Sequence, residues 1–230
     1  MKKLILPLLL LVGITMLVAV ESAPSAVVGY FKLSLADGAV STISLPLVPK
    51  TPVTGSNLAI QNAIGNQFSD LDTFTDANSG LSAEMDLGGG GWYGDLENLE
   101  YGGAYYVSRY AGNGPVNFFL MGKVDPQPLS IAIGGGAVTT FGLNEARTIP
   151  LTPALFGTNE TELDVITDAD TGLGAEYDPG LGNWYGDLVD VGGLEPTHAY
   201  YYSCVGTGFT WNYVPAPPTT RNVVSNTNSK

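Results

Sequence analysis

One segment of this chain is written twice. Leu71-Asp72-Thr73-Phe74-Thr75-Asp76-Ala77-Asn78-Ser79-Gly80-Leu81-Ser82-Ala83-Glu84-Met85-Asp86 is followed by Trp92-Tyr93-Gly94-Asp95-Leu96. It returns 92 positions later as Leu163-Asp164-Val165-Ile166-Thr167-Asp168-Ala169-Asp170-Thr171-Gly172-Leu173-Gly174-Ala175-Glu176-Tyr177-Asp178, then Trp184-Tyr185-Gly186-Asp187-Leu188. More than half of the positions are identical, and the spacing from acidic turn to Trp-Tyr pair is kept without a gap. Such a register predicts two copies of one folding unit. It also tilts the function. A duplicated unit usually presents the same surface twice, as scaffolds and multivalent binders do. An enzyme usually needs one asymmetric site.

The pattern around the repeat is one of strands and turns. Thirty glycines and fifteen prolines are spread along the chain. Residues 27–35 read as a strand rich in β-branched and aromatic side chains, Asp37-Gly38 as a turn, and residues 40–48 as the returning strand. Residues 129–133, Gly134-Gly135-Gly136 and residues 138–143 repeat that sequence of elements. Further strands are expected around 70–76, 81–86, 105–110 and 116–124, and in the second copy around 200–205 and 209–214. A short helix is expected over 58–64, capped by Ser56 or Asn57 and stopped by Gly65. Its counterpart is Pro153-Ala154-Leu155-Phe156, closed by Gly157.

The expected fold is therefore mainly β: two tandem small β-sandwich or barrel-like modules, each with one short helix. The first module spans 26–127 and the second 128–215. Residues 216–230, rich in Pro, Asn and Ser, read as a disordered polar tail.

Lys2 and Lys3 precede an apolar run over residues 4–20, and Ser22, Ala23, Ser25 and Ala26 follow. That is the order of a secretory signal peptide, with cleavage after Ser22 or after Ser25, so residues 1–25 are taken as the leader. The alternative is an uncleaved anchor, which alone would bring the protein to a membrane. The run is short for a span and is interrupted by Pro7. The expected location is thus secreted or cell-surface.

Losing Lys2, Lys3 and Glu21 with the leader takes the formal charge from −13 to −14. Nothing in such a balance neutralises a phosphate backbone, which argues against nucleic acid and anionic membranes as partners. Cations, glycans and other proteins remain. Cys204 is the one cysteine, so no disulfide forms within the chain. Its strand-like surroundings predict a buried thiol.

Val28-Gly29-Tyr30-Phe31-Lys32 and the Gly-Trp turns give the chain a resemblance to a loose class of secreted bacterial proteins. These open on Val-Gly-Tyr-x-Lys and carry tandem β-rich modules. The class has no assigned activity, and the resemblance implies export and modular β-structure only.

The repeated acidic turns have two readings. Asp76, Asn78, Glu84 and Asp86, with Asp168, Asp170, Glu176 and Asp178, place oxygens at alternate positions around a tight turn, as calcium requires. The spacing is not that of an EF-hand, since Gly is fifth, Glu ninth and Asp eleventh. In the other reading these Asp and Asn side chains bond their own backbone in Asx-turns.

The aromatic pairs also divide. Trp92 and Tyr93 beside Asp95, and Trp184 and Tyr185 beside Asp187, could stack on the apolar face of a sugar while carboxylates accept its hydroxyls. Alternatively each Trp closes one end of a small core. Successive tyrosines at 105–106 and 200–202 point to opposite faces of a strand, so one of each set faces outward or meets the other module.

Nucleophilic catalysis lacks a constellation, because His198 is the one histidine and has no counterpart in the first copy. Paired carboxylates leave a secreted glycosidase as the weakest reading. The first reading is a non-enzymatic structural or adhesive protein of the cell surface, matrix or an extracellular filament. It would act through self-association or other surface proteins. A tandem carbohydrate-binding protein is the runner-up.

Overall fold

The computed structural model describes residues 28–49, 57–65, 67–124, 128–157 and 159–215. The leader over 1–25, the tail over 216–230 and the proposed cap Ser56 lie outside them. No helix among the described residues is long and apolar enough to cross a membrane.

The first half runs β1 (Val28–Leu35), β2 (Val40–Ser44), β3 (Val48–Pro49), β4 (Asn57–Ala59), α1 (Ile60–Ile64), β5 (Thr73–Asp76), β6 (Ser82–Asp86), β7 (Gly91–Gly94), β8 (Asn98–Glu100), β9 (Ala104–Ser108) and β10 (Val116–Lys123). The second half runs β11 (Leu129–Ile133), β12 (Val138–Phe141), β13 (Val165–Asp168), β14 (Gly174–Asp178), β15 (Asn183–Tyr185), α2 (Asp187–Asp190), β16 (Tyr200–Ser203) and β17 (Phe209–Tyr213). Both halves are mainly β, as the turn-rich pattern predicts.

A five-stranded antiparallel sheet dominates each half, in the order β2-β9-β5-β6-β7 in the first and β12-β16-β13-β14-β15 in the second. A smaller sheet accompanies each, β1-β10-β3 in the first half and β11-β17 in the second. Side chains from both sheets make one core per half. In the first, Phe74, Met85 and Val107 of the large sheet share a core with Leu35, Phe118 and Leu120 of the small one. In the second, Ile166, Ala175 and Tyr202 share a core with Ile133 and Trp211. This is sandwich packing, with inward positions alternating with outward ones. It is not a closed barrel.

The turn at Asp37-Gly38 works differently from expectation. β1 pairs with β10 and β2 with β9, so the turn carries the chain from one sheet to the other instead of closing a hairpin. The Asp37 carboxylate explains its placement, accepting the N–H groups of Gly112 and Gly114 at 2.9 Å each. That anchors the corner to the loop before β10. Gly38, at φ 68°, supplies the left-handed backbone the corner needs.

The helices depart further. α1 begins at Ile60, because residues 57–59 pair with β8 as a strand, and its N-cap Ala59 makes no side-chain cap bond. Gly65 ends it as expected, at φ 60°. Residues 153–157 form turns, and the second half's helix lies at Asp187–Asp190, starting at the last residue of the repeated Trp-Tyr-Gly-Asp motif.

Leu71 and Leu163, at matched positions of the repeat, both hold positive φ, 66° and 69°. A left-handed leucine costs about 1–2 kcal/mol, and both side chains are exposed, so little burial offsets it. Leu163→Asn, which tolerates this conformation, is expected to raise stability by about 0.5 kcal/mol. Denaturant titration checks this; a clear loss would mean that the exposed leucine makes a contact worth more than its strain.

Candidate functional site

Register places the repeated residues in matched rows. Across the outer face of the first large sheet, Val40, Ser108, Thr73, Glu84 and Tyr93 stand side by side on five neighbouring strands. Across the second stand Val138, Ser203, Val165, Glu176 and Tyr185. At one end of each row the Tyr hydroxyl bonds the Glu carboxylate of the adjacent strand. Those bonds push both phenols above their ordinary pKa, aided by Asp86 and Asp70 around Tyr93 and by Asp178 near Tyr185. Tyr93 is 53% exposed and Tyr185 45%.

Strand alternation sends the neighbouring tryptophans the other way. Trp184 is 2% exposed and packs against Phe156, Tyr177 and Tyr202. Trp92 is half-buried against Phe68 and Phe74, with its indole N–H directed to the Gly65 carbonyl at 3.3 Å. Thus the outward ring of each pair is the tyrosine. The indole N–H of Trp184 has no partner among the described residues. In that half Trp211 occupies the place of Phe118 and donates to a turn carbonyl, that of Leu155, at 2.7 Å.

The acidic turns are tied to their own backbone. Asp76 Oδ1 accepts the N–H groups of Asn78 and Ser79 at 3.0 and 2.7 Å. Asp168 Oδ1 accepts those of Asp170 and Thr171, both at 2.9 Å. Asp86 caps Gly89 and Asp178 caps Gly180 in the next turn. Among the described residues, no three His, Cys, Asp or Glu side chains converge to hold a metal ion. Asp95 and Asp187 are exposed, and Asp187 opens α2. A cleft of about 370 Å³ lies beside the first acidic turn, lined by Asp76, Asn78, Asn98, Glu100 and Tyr105.

The two halves meet through matched residues. Tyr106 and Tyr201, next to the rows on the same outer faces, join their hydroxyls at 3.0 Å. That bond pushes the Tyr201 phenol up to about 12. The Ser44 N–H at the edge of β2 donates to the Thr197 carbonyl at 2.7 Å, and Ile43 bridges to His198. One edge of the first large sheet is thereby covered by the second half, which removes it as a template for a neighbour.

His198 Nδ1 lies 2.6 Å from Asp168 Oδ2. The Asp168 hydrogen bond holds the imidazole above its ordinary pKa. Burial opposes ionisation of Asp168, but bonds from His198, Thr171 and Asp170 outweigh it and hold the carboxyl low. A raised histidine contributes stability that is full below its unfolded pKa and lost as pH rises through the folded one. A lowered aspartate contributes stability that is lost as pH falls through its folded pKa. Thermal stability is therefore expected to peak between about pH 4 and 6.5 and to decline above. His198→Gln should flatten the alkaline limb in a melting series over pH; an unchanged limb would assign it to other groups.

Sequence reasoning missed Asp72 and Asp164, the matched and fully buried carboxylates of the repeat. Asp72 accepts the N–H groups of Ser69 and Tyr110 at 2.8 and 2.9 Å and pairs with buried Arg109. Asp164 accepts from Thr161, the Tyr202 hydroxyl and the Val205 N–H. Cys204, buried and unpaired, precedes Val205 as Arg109 precedes Tyr110. The signal was present: both aspartates sit after a leucine in each copy, ahead of the strand.

Comparison with protein-family models, curated proteins and solved structures returned no match.

Proposed function

We propose that the protein is an exported, non-enzymatic structural or adhesive component that works through contacts of its surface with copies of itself or other surface proteins. The observation that carries this reading is the duplicated outward row, with a Tyr-Glu pair exposed at one end of each large sheet. Two equal faces on one chain favour multivalent contact, where weak single contacts add to lasting attachment. Exposed tyrosines suit such contacts, since they offer area at little conformational cost. Calcium enters only as a ligand of the acidic turns.

The test is light scattering during gel filtration, with calcium and then with chelator, on the full chain expressed so that leader processing is the cell's own. Species larger than a monomer support the reading, and their loss in chelator would make the acidic turns metal sites. A monomer at all concentrations and in both buffers would overturn self-association.

Tandem carbohydrate binding is the second reading. Tyr93 and Tyr185 favour it in place of the tryptophans, each exposed ring being hydrogen-bonded to a carboxylate that could exchange to a sugar hydroxyl. A glycan array with the double variant Tyr93→Ala/Tyr185→Ala as control decides it.

A further inference from the structure

Alternation along β1 turns Phe31, Leu33 and Leu35 inward and Tyr30, Lys32 and Ser34 outward. On β10 the outward residues are Asn117, Phe119, Met121 and Lys123. Register sets Tyr30 opposite Met121 and Lys32 opposite Phe119. Tyr30 is 72% exposed, Met121 68% and Phe119 40%. Among the described residues, the outer face of the small sheet is thus an apolar and aromatic patch that carries lysine and no carboxylate.

In a chain with 22 acidic and 9 basic residues, such a face stands out. The basic residues among those described are Lys32, Lys123, Arg109 and Arg147. Arg109 is buried on Asp72 and Arg147 is paired with Glu145, while Lys32 stands among Tyr30, Phe119 and Met121 on this face. The second half does not reproduce it. There Ser130 and Asn212 occupy the positions of Lys32 and Phe119, and they hydrogen-bond each other at 3.0 Å. Beyond β1, no further strand pairs among the described residues, so an eight-residue edge borders the patch.

The complement of this face is elsewhere on the same molecule. Tyr93 lies among Glu84, Asp86 and Asp70, and Tyr185 beside Glu176 and Asp178. We propose that the Tyr30–Lys32–Phe119–Met121 face docks onto the Tyr-Glu face of a second copy of this chain. The inference rests on the self-association reading above and names its partner surface. Exposed ion pairs are individually weak, so the rings and Met121 supply most of the affinity. The charges set register and rate. Because donor and acceptor faces differ, the contact is heterologous, and it extends as an open chain of copies unless a rotation closes it.

Mixing tests this. Lys32→Glu reverses the charge at the centre of the basic face, and Glu84→Lys with Glu176→Lys reverses the carboxylates bonded to Tyr93 and Tyr185; all three positions are on outer faces. Wild type is expected to form species larger than a dimer. Each variant alone should lose at least tenfold in apparent association constant, and an equimolar mixture should recover large species. Near-UV circular dichroism confirms that both variants are folded. Variants that assemble like wild type would overturn this docking while leaving self-association standing. A wild type that stays monomeric would remove both. A monomer that binds vesicles of anionic lipid through Lys32 would assign the face to a membrane and overturn the proposal.

Discussion

Asp72→Ala is expected to lower the free energy of unfolding by about 3–5 kcal/mol, since it strands a buried guanidinium. Asp72 is fully buried, and its carboxylate gathers Ser69 and Tyr110 backbone N–H groups, the Asn113 amide and the Arg109 guanidinium. These partners come from the β9–β10 loop and from the turn before β5. Removing the carboxylate leaves Arg109, among the described residues, with the carbonyls of Gly114 and Asn113, at 2.6 and 2.7 Å. A net loss of several kcal/mol is a large share of the stability of an ordinary domain. Denaturant unfolding with unchanged slope measures it. A loss below about 1 kcal/mol would mean that water or rearrangement replaces the carboxylate.

Trp184→Ala is expected to cost about 3–5 kcal/mol, the range for truncating a large aromatic in a core. The same change at Tyr185, one residue away, should cost about 1 kcal/mol or less, because that ring stands half in solvent. Trp92→Ala should fall between, given its half-buried ring. This ordering separates a core plug from a ligand platform. If Trp184→Ala left stability intact, the indole would have to be retained for something other than packing, and its unpartnered N–H would be the place to look. Thermal or chemical unfolding of the three variants, followed by tryptophan fluorescence, reads the result.

The same two residues show how far the sequence could be read. Consecutive positions in a strand face opposite ways, so Trp-Tyr predicts one ring in and one ring out. Only the packing of Phe156, Tyr177 and Tyr202 fixes which is which. The strands around Phe74, Met85 and Val107 were legible from alternation and turn residues. Their partners were not. β1 could have paired with β2 by proximity, and it pairs instead with β10, more than eighty positions away along the chain. Local pattern records which face is apolar and leaves the pairing to the whole core.

Asp76 and Asp168 illustrate the limit for sites. Their spacing fits either a cation or an Asx-turn, and the observed bonds to Ser79 and Thr171 N–H groups are those of the turn. The meeting of Tyr106 with Tyr201 could not be read at all, because it depends on how the halves are docked. The outward direction of one tyrosine in each run was readable; its partner was not. The Tyr-Glu pairs fall between these cases. Both residues were candidates from the repeat, while their hydrogen bond requires the β6–β7 and β14–β15 register.

The central claim is that the two Tyr-Glu rows are the working surface. Its most direct test is a concentration series of light scattering on wild type, Tyr93→Ser, Tyr185→Ser and the double variant. The account predicts that each single change weakens association, that the double change leaves a folded monomer, and that near-UV circular dichroism of the core tryptophans is unchanged throughout. A double variant that associates as strongly as wild type would contradict it.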